Sequence, residues 1–157
     1  MKHAETPGDL LPPAELLSMS GLDFMRGILE GRLPAPPIGR TLGYRLEEVD
    51  EGRVVFAGAP TFEACNPLGT VHGGWYGTLL DSAMACAVQT RLPKGSGYTT
   101  LEYKVNVIRS IPLGLDVRCE GIAEHVGRST GVATGRIKDA EGRLYATGST
   151  TCIVLTP

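Results

Sequence analysis

The sequence predicts an α+β fold in which an antiparallel sheet wraps a single buried helix. Three observations predict it. One segment, Gly74 to about Thr90, is apolar or small on nearly every side, as a buried helix must be. Two strand-like runs precede it and four longer ones follow, so both sheet and helix need a partner to cover them. The chain has 157 residues, 42% hydrophobic and 20% charged, which suits one domain able to bury a core without disulfide or metal support.

Residues 1–13 are polar and rich in proline, and read as a loose arm. Within residues 14–31, Leu17, Leu22, Met25, Ile28 and Leu29 recur near helical spacing and Gly31 supplies a stop, which predicts a short helix or two. The run Leu33-Pro34-Ala35-Pro36-Pro37 cannot continue a helix, because proline lacks an amide hydrogen and disfavours helical geometry in the residue before it. It therefore reads as a connector between an N-terminal arm with short helices, residues 1–33, and the main domain, residues 34–157.

Tyr44–Val49 and Arg53–Gly58 alternate like strands around the turn Asp50-Glu51-Gly52. Phe62–Thr70 reads as a loop into the helix. From Tyr98 onward, Thr100–Val107, Leu115–Glu124, Ser129–Lys138 and Leu144–Leu155 are rich in Val, Ile, Thr and Tyr. The turns Pro112–Gly114, His125–Arg128 and Asp139–Gly142 are each short enough to join antiparallel neighbours. No internal repeat is present.

Charge and cysteine usage exclude several functions. The net charge of -2 hides an asymmetry: residues 1–90 carry 6 Lys/Arg against 11 Asp/Glu, and residues 91–157 carry 9 against 6. The basic half falls short of a nucleic-acid footprint but suffices for a ligand with a few phosphates. Cys65, Cys86, Cys119 and Cys152 form no CxxC pair, so neither a zinc site nor a redox dithiol is expected; with no signal segment at Met1–Leu11, a reducing cytoplasm is. The most apolar stretch, Leu79–Val88, is interrupted by Asp81 and Ser82, and no membrane span is expected.

Asp81 is the anomaly. Its helical neighbours three and four positions away are Gly77, Thr78, Met84 and Ala85, and no Lys or Arg occurs between Arg53 and Arg91. A carboxylate on an apolar helix costs several kcal/mol to desolvate unless hydrogen bonds or function retain it. Upstream, His72-Gly73-Gly74 lies where the helix begins, so the first amides lack intrahelical acceptors and face a negative group favourably. Eight residues separate Gly73 from Asp81, about 12 Å along a helix axis, so one chain cannot easily place both on one carbonyl. If both act on one substrate carbonyl, Asp81 faces the helix start of a second protomer, and symmetry duplicates the site.

Asn66, His72-Gly73-Gly74 and Asp81, in that spacing, resemble the signature of the hotdog thioesterases of the phenylacetate-pathway, or PaaI-like, type. The resemblance spans roughly Pro34 to Leu155. It implies a hotdog fold, a central helix wrapped by a curved antiparallel sheet, with protomers paired edge to edge into homodimers and commonly dimers of dimers. It implies acyl-CoA hydrolysis without cofactor or metal. In that reading Asp81 is nucleophile or general base, the Gly73 amide polarises the thioester carbonyl, and Asn66 positions the nucleophile or water. His72 supports the carbonyl or anchors the loop, and Thr100 or its neighbour Thr99 orients water. Gly74 contacts substrate, and the turn Gly127-Arg128-Ser129, with Arg109 and Lys104, is available for the CoA phosphates.

No Gly-x-Ser-x-Gly elbow is present, which argues against an α/β-hydrolase route to the same chemistry. The alternatives are a hotdog domain that binds acyl-CoA without turnover and a purely structural dimerisation domain; neither has a use for a desolvated Asp81. Trp75, Tyr76 and Tyr98 are candidates to shape an aryl pocket, but the sequence does not choose between aryl and aliphatic acyl groups. Nor does it choose whether the N-terminal helices lid that pocket or cover the sheet.

Overall fold

The computed structural model describes residues 2–156. Helices α1 (Pro13–Leu16), α2 (Gly21–Leu29) and α3 (Pro37–Leu42) come first, then the hairpin of β1 (Tyr44–Asp50) and β2 (Arg53–Gly58). The long helix α4 (Gly73–Gln89) follows, and then β3 (Gly97–Val107), β4 (Val117–Val126), β5 (Thr130–Lys138) and β6 (Leu144–Leu155). The six strands form one curved sheet in the order β1-β2-β4-β5-β6-β3, antiparallel throughout. The α+β hotdog architecture expected from the sequence is the one observed.

Glycines set how closely α4 approaches the sheet. Leu80, Met84 and Val88 form one ridge of the helix at four-residue spacing, each 0% exposed. Beneath them lie Gly135, Gly148 and Gly131, where an added Cβ would stand 2.8 Å from Met84, 3.2 Å from Met84 and 2.5 Å from Val88 respectively. Gly121 is tighter still, with an added Cβ only 2.2 Å from the Ala83 carbonyl oxygen. The sheet therefore meets the helix backbone to side chain, and each ridge residue gains roughly 1.5–3 kcal/mol from burial. Strand β5 alternates strictly between exposed and buried positions, so the opposite face of the sheet is solvated.

Three local expectations are corrected. Of the expected loose arm at residues 1–13, the described part is tied down: the Ala4 amide donates to the Ala35 carbonyl at 2.9 Å, the Ala35 amide to the Lys2 carbonyl at 2.8 Å, and Ala4 is 2% exposed. Backbone pairing ties the arm down where composition alone suggested freedom. The connector at Leu33–Pro37 ends in helix α3, because Pro37 occupies its first turn, where no amide hydrogen is needed, and Gly43 closes it in the left-handed region at φ 72°. The turn Pro112–Gly114 does not join neighbouring strands. Strand β3 crosses to the far edge beside β6, and the 108–116 connection returns the chain to β4 beside β2.

Helix α2 shares the core of the rest. Met25 and Ile28 of α2 belong to the central cluster, and the Gly21 amide donates to the Leu92 carbonyl just beyond α4. Gly21 sits against the end of α4 so closely that a Cβ there would stand 1.7 Å from the Gln89 carbonyl oxygen. Among the described residues, no helix is long and apolar enough to cross a membrane.

Candidate active site

Helix α4 begins at a cap that the sequence encodes locally. The His72 Nδ1 accepts the Gly74 amide at 2.9 Å, and the Trp75 amide donates to the His72 carbonyl. Because Nδ1 accepts, Nε2 is the ring nitrogen left to donate. His72 is thus a helix and loop anchor with a donor left over. The cap also settles which glycine amide is available. Gly74, expected among the substrate contacts, spends its N–H on His72, whereas the exposed Gly73 amide has no acceptor among the described residues. Nothing lies within 4 Å of where a Gly73 Cβ would be, so the approach to that amide is open.

Asn66 organises the loop ahead of this helix. Its Oδ1 accepts the amides of Leu68 at 2.9 Å and Thr70 at 3.2 Å, and its Nδ2 donates to the Thr70 hydroxyl at 2.9 Å. Within one chain the side chain holds residues 66–70 rather than a nucleophile.

Asp81 stands mid-helix, half-buried, on the wall of a cavity of ≈ 680 Å³. The Thr100 hydroxyl donates to its Oδ1 at 3.0 Å. Thr100, not Thr99, is therefore the residue that reaches the carboxylate. A β-bulge between Thr100 and Glu102 breaks the β3–β6 register at this point. A bulge re-aims the side chains beside it, and here it adjoins the residue that turns inward to Asp81. Burial pushes the Asp81 carboxyl above its usual value, and the Thr100 hydrogen bond opposes that only in part; no cation contributes. Next to it, the Ser82 and Tyr44 hydroxyls are hydrogen-bonded to each other at 2.9 Å.

The structure brings Asp81 and Thr100 together and keeps Gly73, His72 and Asn66 at the other end of the first half of α4. The proposed phosphate ligands divide the same way. Arg109 lies by the helix start: its carbonyl accepts the Tyr76 hydroxyl at 3.3 Å, and its guanidinium donates to the Leu144 carbonyl at 2.6 Å. Arg128 and Ser129 are exposed in the β4–β5 turn, where the Ser129 carbonyl accepts the Val154 amide, near the beginning of β3. Lys104 is exposed on β3.

Trp75 and Tyr76 do not line the cavity. The Trp75 indole donates to the Leu42 carbonyl at 2.8 Å, and the Tyr76 hydroxyl also accepts the Ile111 amide at 2.8 Å, so both fasten the helix start. Tyr98 does line it. So do Leu10, Leu11, Leu16 and Phe24 from the N-terminal segment, together with Gln89 of α4, none of which sequence reasoning placed at the site. The available signal was Gln89 itself, the one polar side chain of the helix after Ser82. Among the described residues no group of three or more His, Cys, Asp or Glu is placed to hold a metal.

Residues 68–146, half of the chain, match the family described as the Thioesterase superfamily. No curated protein matches the chain. A phenylacetic acid degradation-related protein of Ralstonia eutropha JMP134 is a similar solved structure, with 30% identity, a TM-score of 0.75, and 83% of this chain and 98% of that chain covered. A thioesterase family protein of Silicibacter pomeroyi shares 25% identity over 88% of this chain and 100% of its own, with a TM-score of 0.75. The phenylacetic acid degradation protein PaaI of Thermus thermophilus, in a mutant form, shares 27% identity over 74% of this chain and 97% of its own, with a TM-score of 0.68. With its helix, sheet and mid-helix carboxylate in this arrangement, the chain belongs to the thioesterase superfamily as a PaaI-like hotdog thioester hydrolase.

Proposed function

We propose that this protein hydrolyses acyl-CoA thioesters to the free acid and CoA, with Asp81 attacking the thioester carbonyl or activating the water that does. The observation that carries the reading is Asp81 itself: a half-buried carboxylate on a cavity wall, hydrogen-bonded by Thr100, with no cation to balance it. A carboxylate that burial leaves poorly solvated, with one hydroxyl as its hydrogen-bond partner, is a better base and nucleophile when ionised than one in water. The thiolate of CoA departs without strong protonation, so no second acid is needed.

The Gly73 amide, open and without an acceptor, is the donor for the oxyanion that forms at the carbonyl. Asp81 lies about 12 Å further along the same helix. Two protomers meeting with antiparallel helices would put the Asp81 of one beside the Gly73 of the other. The edge strand β3 supports such a homodimer, because Leu101, Tyr103 and Val107 are 59%, 45% and 52% exposed there. A long edge strand with exposed apolar side chains, here interleaved with Glu102, Lys104 and Asn106, leaves backbone groups that a partner strand can pair. The opposite edge, β1, carries Arg45, Glu47, Glu48 and Asp50 instead. Dimers joining into a dimer of dimers, and CoA phosphates held by Arg128 with Ser129 and Arg109, complete the reading. The four free thiols suit a reducing cytoplasm.

Incubation of the purified protein with a panel of acyl-CoAs and a thiol reagent tests it. Free CoA should appear with wild type and not with Asp81→Ala. Tight binding of the whole panel without turnover would favour a sensor or carrier instead.

A further inference from the structure

The ≈ 680 Å³ cavity that Asp81 overlooks has a further polar group on the same helix wall. Gln89 lines the cavity from the last turn of α4, is 5% exposed, and makes no side-chain hydrogen bond among the described residues. The other polar groups of the helix on this wall are engaged, Asp81 with Thr100 and Ser82 with Tyr44. Arg45, across the cavity, faces Glu47 at 3.6 Å. No fully buried side-chain polar atom among the described residues lacks a partner, so the Gln89 amide opens onto the cavity, where a ligand can hydrogen-bond to it.

The spacing along the helix measures what ligand would do so. Asp81 and Gln89 are eight residues apart, about 12 Å along the axis. An extended chain advances about 1.2 Å per bond, since three backbone bonds span about 3.6 Å, so about ten bonds separate the two groups. A phenylacetyl group, five bonds from carbonyl carbon to far ring carbon, covers about half of that by the same count. The N-terminal segment lines the cavity with mostly apolar side chains, Leu10, Leu11, Leu16 and Phe24, and with His3. That segment is pinned in place by the pairing of residues 2–4 with Ala35, so the wall is part of the fold.

Resting on the assignment of Asp81 as the catalytic carboxylate, we propose that this cavity seats an aliphatic acyl chain of about eight to ten carbons. The chain lies along α4, and its far end carries a hydroxyl or carbonyl oxygen that hydrogen-bonds to the Gln89 amide. The N-terminal segment is the specificity wall of the site, and a compact arylacetyl group leaves Gln89 unpaired.

Calorimetric binding to the Asp81→Asn protein tests this without turnover, using decanoyl-CoA, ω-hydroxydecanoyl-CoA and phenylacetyl-CoA. The hydroxylated chain should bind about three- to tenfold more tightly than decanoyl, the range a net hydrogen bond gives, with phenylacetyl weakest. Adding Gln89→Leu should abolish or invert the preference between the two long chains. Equal affinity for both long chains means that water serves Gln89 and overturns the proposal, as does tightest binding of phenylacetyl-CoA or binding of none. The comparison in the Asp81→Asn background needs no change at position 89, so a Gln89 variant that fails to fold does not blunt it. If the tail preference appears but wild type hydrolyses none of the three, the catalytic reading of Asp81 fails and the cavity assignment stands.

Discussion

Asp81 and the carboxylates on the outer face of the sheet are held in opposite ways. Where β1, β2 and β4 run side by side, Arg53 meets Glu48 at 2.8 Å and Glu120 at 2.6 Å, and Arg118 meets Glu47 at 2.7 Å and also Glu48. Every acid there has a guanidinium, and hydrogen bonds from Arg53 and then Arg118 hold the Glu48 carboxyl below its usual value. Asp81 has the reverse setting: burial without a cation, one hydroxyl as partner, and a carboxyl pushed up. The paired face uses charge for cross-strand register, at a surface where each pair contributes little. The lone aspartate costs the fold something, and a cost retained on a cavity wall is the observation on which the proposed role of Asp81 rests.

The largest expected effect of breaking that contrast is at Asp81. Asp81→Asn keeps the shape and the Thr100 contact but removes the base, and kcat for acyl-CoA hydrolysis should fall about 10²- to 10⁴-fold. The same variant should be more stable than wild type at neutral pH. A raised folded pKa means that the native protein holds its proton where the unfolded chain has released it. Wild-type stability is therefore highest below the unfolded aspartate pKa and declines as pH rises through the folded one. Thermal unfolding against pH should show the variant gaining on wild type over that range. Each kcal/mol of relieved desolvation corresponds to about 2–4 °C in a domain of this size. A variant that is equally stable at every pH would place Asp81 in ordinary solvent.

Gly73→Pro comes next. Proline is suited to the first turn of a helix, His72 at ψ 140° has the geometry that a residue before proline needs, and the space around a Gly73 side chain is open. The substitution therefore deletes the amide donor and little else, and kcat should fall about 10²- to 10³-fold with unfolding unchanged. Mixing Asp81→Asn with Gly73→Pro chains sharpens the test. If the two groups act across an interface, a mixed dimer keeps one intact site. Statistical exchange then restores about a quarter of wild-type activity, because half of the dimers are mixed and each has one working site of two. If both act within one chain, mixing restores nothing.

Much of this was legible in the sequence because it is encoded locally. The strands of the β1–β2 hairpin and of the β4–β5–β6 meander announce themselves by alternation and turns, and Asp81 stands out against its own helical neighbours. The fate of His72, Gly73 and Gly74 was only half legible, since which amide the cap consumes depends on where the imidazole points. What could not be read depends on distant pairing. The arm at residues 2–4 is ordered by Ala35, and β3 crosses to the far edge because α4 must span the concave face before the chain returns. The same crossing brings Thr100 onto Asp81, nineteen positions away, with a bulge that no periodicity announces.

Thr100→Val should have a smaller effect than the change at Asp81 or at Gly73. It preserves the β-branched shape in the strand and removes the hydroxyl that donates to Asp81, a charged acceptor, so kcat should drop about tenfold or somewhat more. The direction of the pH shift separates a positioning role from a loss of packing. The Thr100 hydrogen bond lowers the Asp81 pKa, so its removal should move the acidic limb of the kcat/KM profile to higher pH. A drop in kcat with the limb in place would mean that the hydroxyl serves the substrate or the strand instead.

The smallest effect belongs to the paired face. Arg118 is half exposed, with a side chain 50% accessible, and its partners Glu47 and Glu48 are 33% and 39% accessible. Solvent screens such pairs, and removing one partner typically costs about 0–1 kcal/mol. Arg118→Ala should lower stability within that range, leave kcat and KM as they are, and lose its effect in high salt. Glu48 retains Arg53 in the variant, so its carboxyl should stay depressed. The stability that Glu48 contributes is present above the unfolded glutamate pKa and lost as pH falls, the opposite sense to Asp81. Thermal unfolding of Arg118→Ala and Asp81→Asn at two pH values should therefore move the two variants in opposite directions relative to wild type. A large activity loss in Arg118→Ala would show instead that this face communicates with the cavity, and that the two regions are not independent.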